Sequence, residues 1–155
     1  MRKRSTPAAP PASTLQNSLL IGVAQPRPSP RGGFDVQVWC ARCDDFHQHG
    51  DDNPYGIRHR AAHCRGRHIA RDGWGYRFFC LTPEYLELLA AGQDSVSDEV
   101  LLGAGISPDQ FASWVEALLR WHRAGLSYLP TPAQAMDEKK LRHVYREAMA
   151  RTRRF

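Results

Sequence analysis

Hydrophobic and polar residues alternate in two short stretches of this chain, and helical spacing takes over in its second half. Phe34, Val36 and Val38 are separated by Asp35 and Gln37, while Tyr76, Phe78 and Cys80 are separated by Arg77 and Phe79. A period of two is that of a half-buried strand, so each stretch predicts one β-strand. From Thr82 the texture changes. Thr82-Pro83-Glu84 supplies an N-cap, a first-turn proline and an acid at the positive end of a helix, and Tyr85, Leu86, Leu88 and Leu89 follow before Gly92 stops it. Residues 97–102 predict a short second helix. Ser107-Pro108-Asp109-Gln110 is a capping box for a third, in which Phe111, Trp114, Val115, Leu118, Leu119 and Trp121 recur at helical spacing as far as Gly125. A last helix is predicted after Thr131-Pro132, with Leu141, Val144, Tyr145 and Met149 on one side.

Residues 1–33 follow neither period. Pro7, Pro10, Pro11, Pro26, Pro28 and Pro30 are too closely spaced for helix or paired strand, which predicts a disordered arm rich in Pro, Ala, Ser and Arg. The apolar run Leu19-Leu20-Ile21-Gly22-Val23-Ala24 is short for the centre of a secretory signal and is preceded by Gln16 and Asn17, so export is not expected. The expected organisation is α+β: the disordered arm over 1–33, a small zinc-ribbon-like β module over 34–81 and a helical bundle region over 82–155. No stretch approaches the roughly 20 apolar residues that span a bilayer, which predicts a soluble protein with no membrane partner.

The formal charge of +5 over 155 residues is unevenly placed. Arg2, Lys3, Arg4, Arg27 and Arg31 face no acid within residues 1–33. Arg58, Arg60, Arg65, Arg67, Arg71 and Arg77 face only Asp72 between positions 58 and 77, and residues 139–155 carry seven bases against Glu147. Between them, residues 81–138 hold nine acids against Arg120 and Arg123. Basic patches therefore flank an acidic helical segment, and the two regions suit different partners.

One cluster specifies chemistry. Its spacing is Cys40-x2-Cys43-x3-His47-x-His49-x13-His63-Cys64, which places three of the four cysteines and four of the seven histidines, His59 included, within twenty-five residues. Two thiolates two residues apart can grip one ion, and imidazoles and a further thiolate complete a tetrahedral Zn²⁺ site. The expected ligands are Cys40, Cys43, His49 and Cys64. His47 and His63 are the alternates, as ligands or as groups that orient the ligands. Cys80 competes as a fourth thiolate but reads more simply as a buried thiol. Clustered cysteines with histidines favour metal ligation in a reducing compartment, hence a cytoplasmic location.

Trp39-Cys40-Ala41-Arg42-Cys43, His47-Gln48-His49-Gly50, His59-Arg60-Ala61-Ala62-His63-Cys64 and Gly75-Tyr76 together form a compound motif. In it the chain resembles a family of small, uncharacterised zinc-ribbon-like proteins common in actinobacteria and their phages and mobile elements, which carry WCxxC, HxHG, HRxAHC and a closing GY. The resemblance covers residues 38–78 and implies that His47, His49, His63 and Cys64 all matter. It implies no activity. The chain departs from the pattern in the insertion-like loop Asp51-Asp52-Asn53-Pro54-Tyr55.

A site with three thiolates has no open coordination position, which makes the expected zinc structural rather than catalytic. With six arginines around it, interleaved with His68, Trp74 and Tyr76, the expected activity is nucleic-acid binding, non-specific or weakly specific, in an accessory or regulatory role. Arg58, Arg60, Arg65, Arg67, Arg71 and Arg77 are its candidate contacts. The segment from Leu101 to Trp114 approximates helix-turn-helix spacing, but Asp109 and Glu116 would repel phosphate from its second helix. Two alternatives stand beside this expectation: a protein-binding adaptor acting through the acidic, aromatic helices, and a metal-dependent nuclease or hydrolase using His47, His49 or His63 as general base with Asp51 or Asp52 nearby.

Overall fold

A computed structural model describes residues 19–61 and 75–153. The strands are β1 (Leu19–Pro26), β2 (Phe34–Cys40), β3 (Asp45–Asp51), β4 (Arg58–Ala61) and β5 (Gly75–Leu81). Among the described residues five helices follow: α1 (Pro83–Ala90), α2 (Asp98–Gly103), α3 (Pro108–Arg123), α4 (Pro132–Ala135) and α5 (Glu138–Thr152). The class is α+β, as the two periodicities predict. Among the described residues, no helix is long and apolar enough to cross a membrane.

The strands form one sheet in the order β3-β2-β1-β5-β4. All neighbours are antiparallel except β1 and β5, which run parallel in the register Leu20↔Phe78 and Gly22↔Cys80. Parity requires this. An up-and-down run of five strands that curls until its first and last members pair must bring two odd-numbered strands together, and these point the same way. The curl centres on Gly22, where an added Cβ would lie 3.2 Å from Val36 Cγ1 and 3.4 Å from both Phe78 Cδ2 and Val38 Cγ2. Without a side chain there, β2 and β5 fold toward each other across the concave side of β1.

Alternation then sorts the side chains into two cores. Ala24, Val36, Val38, Tyr76, Phe78 and Cys80 fill the inside of the curl. Their sequence neighbours Ile21, Val23, Trp39 and Leu81 point the other way, into a larger core shared with Leu86, Leu101, Ile106, Trp114, Leu118, Trp121, Val144 and Ala148 from the helices. Phe46 stacks on Trp114 with ring centroids 6.3 Å apart and meets Trp39 edge-on at 5.3 Å. A polar seam adds to this joint. Gln25 Nε2 donates to the Leu126 carbonyl at 2.7 Å, and Gln37 Nε2 donates to the Ser127 carbonyl at 3.0 Å.

The expected three-part division changes accordingly. Residues 19–33 belong to the sheet: the apolar run at Leu19 is buried on both faces as a central strand, and three of the prolines that argue against order fall at its end, Pro26, and in the hairpin after it, Pro28 and Pro30. Positions 1–18 lie outside the described residues. The β part is a five-stranded sheet whose convex face is built into the helical core, not a separate 34–81 module. The last predicted helix is two helices, because Asp137 accepts hydrogen bonds from the Lys139 and Lys140 amides and starts a fresh N-terminus.

The β2–β3 hairpin and the helices come close together at Gly105, in the turn between α2 and α3. Its φ is +73°, and a Cβ there would sit 2.5 Å from Ala41 Cβ. Gly105→Ala combines left-handed strain with a steric clash, and urea denaturation should show it less stable by about 2 kcal/mol.

Candidate metal centre

The β2–β3 hairpin turns through residues 41–44, with Asp44 in the left-handed region at φ 49°. Cys40 ends one strand, Cys43 lies in the turn and His47 lies on the returning strand opposite Val38. Side chains that face each other across an antiparallel pair share a face. Cys40 and His47 therefore both point into the curl, Cys40 facing Asp45 and His47 facing Val38, while Trp39 and Phe46 point into the helical core. The Sγ atoms of Cys40 and Cys43 and a ring nitrogen of His47 all lie within 4.8 Å of one another. A tetrahedral ion with Zn–S near 2.3 Å and Zn–N near 2.0–2.1 Å needs its donors about 3.5–3.8 Å apart, so a small inward shift of side chains closes the site. Cys40 and His47 are buried and Cys43 is half-buried. None of the described cysteines, Cys40, Cys43 and Cys80, is in a disulfide.

This geometry brings His47, rather than the expected His49, to the two thiols. The reason is strand rise: His49 lies two residues, about 6.8 Å, farther from the turn on the same face. There it is joined to the Tyr76 hydroxyl through a hydrogen bond to its Nε2, and its ring stacks on Phe78 at 6.0 Å. Tyr76 is buried and its ring also lies 6.1 Å from that of His47. Tyr76 thus backs both histidines, and Phe78 backs His49. His63 and Cys64, expected as alternate and fourth ligand, lie outside the described residues, as do Arg65, Arg67 and Arg71. Cys80 sits inside the curl away from this cluster. Burial, reinforced by the charge of Asp51 and partly offset by Arg58 and Arg60, pushes its thiol up to about 12, so it stays protonated at neutral pH.

At the other end of the concave face, Asp51 closes the gap between the sheet's two edges, β3 and β4. Arg58 grips it with two bonds, Nε to Oδ2 at 2.9 Å and Nη2 to Oδ1 at 3.0 Å, and Arg60 Nη2 adds a third at 2.9 Å. The Asn53 amide donates a fourth at 3.0 Å. The Asp51 side chain is only 3% exposed against about a third for each arginine. The sequence offers Asp51 only as a possible acid beside His47 and His49, and its pairing with Arg58 and Arg60 was missed, although a carboxylate seven and nine residues before two arginines was a visible signal. Its partners matter for the candidate nucleic-acid contacts too: Arg58 and Arg60 share a carboxylate, whereas Arg77 on β5 is exposed.

Comparison of the chain with protein-family models, with curated proteins and with solved structures finds no match in any of the three.

Burial raises the Asp51 carboxyl, but the Asn53 amide and the two guanidiniums outweigh it and hold the group below the usual 3.8. A depressed native value means that the stabilisation is complete above pH 3.8 and disappears as pH falls through the lower native value. Asp51→Asn should cost about 2 kcal/mol near neutral pH, since two part-buried arginines lose their counter-charge. The same variant should show a shallower loss of stability than the parent when unfolding is followed from pH 5 down to pH 2.

Proposed function

We propose that this is a zinc-stabilised protein that binds nucleic acid non-specifically or with weak specificity, in an accessory or regulatory role in the cytoplasm. The convergence of Cys40, Cys43 and His47 in one hairpin carries the metal half of the reading. Two soft thiolates beside an imidazole suit Zn²⁺ better than the hard, oxygen-seeking Mg²⁺ or Ca²⁺. Cys64 or His63 is the sequence's candidate for the remaining position. The nucleic-acid half is supported by charge: the chain carries a surplus of five positive charges, gathered in patches separate from the acidic segment.

Purified protein should contain one zinc ion per chain by elemental analysis. Cys40→Ser and His47→Gln should lose that zinc, and His49→Gln should keep it; retention of full zinc by His47→Gln would overturn the ligand assignment. Trp39 and Phe46 tie the hairpin to Trp114, so a strong chelator should lower stability by several kcal/mol and melt sheet and helices in one transition.

A second reading, a metal-dependent nuclease or hydrolase, is favoured by one observation. Among the described residues the cluster offers two thiols and one imidazole, with His49 and Tyr76 next to it on the same concave face. Zinc with an open position would supply Lewis acidity and a more acidic bound water. His49 would then hold or accept a proton, positioned by the Tyr76 hydroxyl. Cleavage of DNA or RNA that needs metal and vanishes in a zinc-replete His49→Gln variant would establish this reading in place of the first.

A further inference from the structure

We infer that the outer side of α5 is the principal contact surface for the phosphate backbone of nucleic acid, an inference that rests on the nucleic-acid reading above. Lys139, Arg142 and Arg146 are exposed on this helix, and Arg153 is exposed at its C-cap. At 3.6 residues per turn these four positions fall within an arc of about 60° and span about 21 Å along the axis. That length matches roughly six steps of 3.4 Å along one strand of a duplex. The buried Val144 and Ala148 lie on the opposite side, so the stripe is held outward by the packing that anchors the helix.

The stripe's charge is available. Among the described residues, none of Lys139, Arg142, Arg146 and Arg153 has a carboxylate within ion-pair distance, whereas Arg27 pairs with Asp35, Arg58 and Arg60 with Asp51, and Arg123 with Glu87. The acids of α5 stand at its margins: Glu138 in the first turn, and Glu147, which is 3.1 Å from His143 Nε2. Arg120 of α3, lying 5.7 Å from the Tyr145 ring, widens the positive surface on the Arg142 side. The apolar side of α5, with Leu141, Val144, Tyr145, Ala148 and Met149, is taken up by the helical core. A helix that lies in a membrane interface needs that side free to insert, so the geometry favours phosphates over lipid. It also moves the contact away from Arg58 and Arg60, which the sequence pattern had put forward.

The test is a filter-binding titration of the full chain against a mixed-sequence DNA duplex and an RNA of equal length over a range of salt concentrations. Beside the parent stand a variant carrying Lys139→Gln, Arg142→Gln, Arg146→Gln and Arg153→Gln, and Arg31→Gln as a control in the β1–β2 hairpin. The fourfold variant should keep the parent's zinc content and circular dichroism, since none of the four side chains enters the core. It should bind at least tenfold more weakly, and its slope of log affinity against log salt should be smaller by about three to four. The control should change the slope by one at most. Parent binding that the fourfold variant reproduces within twofold would overturn the α5 assignment while leaving the nucleic-acid reading intact. Parent protein that binds neither nucleic acid would overturn both, and α5-dependent sedimentation with vesicles of anionic phospholipid in that case would assign the stripe to lipid.

Discussion

The two-residue period of the β2–β3 hairpin is the constraint on which the rest of this molecule turns. Because neighbours on a strand face opposite ways, Trp39 and Cys40 serve different structures, and so do Phe46 and His47. One member of each pair locks the hairpin into the helical core, and the other points a potential metal ligand into the curl. A register slip of a single residue would exchange them, burying a thiol against Trp114 and turning indole toward the site. The core on the convex face therefore fixes the geometry of the concave one, and a hairpin too small to hold its own shape borrows rigidity from the helices.

Polar chemistry inside the curl is divided along the strand. Near the turn stand the thiols and His47; farther along come His49 with Tyr76 and Phe78, and at the far end the Asp51 carboxylate with two guanidiniums. Asp51 does for the open seam what a ladder of backbone hydrogen bonds does elsewhere in the sheet. Its charge is compensated at once, which lets a carboxylate sit almost fully buried beside a thiol that stays neutral.

Much of the helical half was legible in the sequence because its signals are local. Thr82 and Ser107 mark helix starts because their side-chain oxygens accept from backbone amides three residues on, the prolines after them supply a helical φ, and the Ser107–Gln110 capping box forms as its spacing implies. Asp137 was missed because a continuous helical pattern around it hid a second cap. The sheet was harder to read. Strand β1 is buried on both faces and so lacks alternation, β4 is four residues long, and β3 alternates histidine with glutamine and glycine, which reads as a ligand run before it reads as a strand. Prolines at one end of the Leu19 run outweighed its apolar centre. For the metal cluster, the sequence limited the candidates but could not rank His47 over His49, since that choice depends on hairpin register, a long-range property.

The parallel contact between β1 and β5 has a consequence for how the chain is made. Leu19 and Arg77, which pair there, are 58 residues apart in sequence. As the polypeptide leaves the ribosome, β1 can zip against β2 early, yet its other edge stays bare until the fifth strand has emerged. Such an edge is a template for pairing with another chain. The nascent protein thus passes through an interval of vulnerability to intermolecular association that its finished form conceals, and that interval lasts at least as long as synthesis of the residues between the two strands.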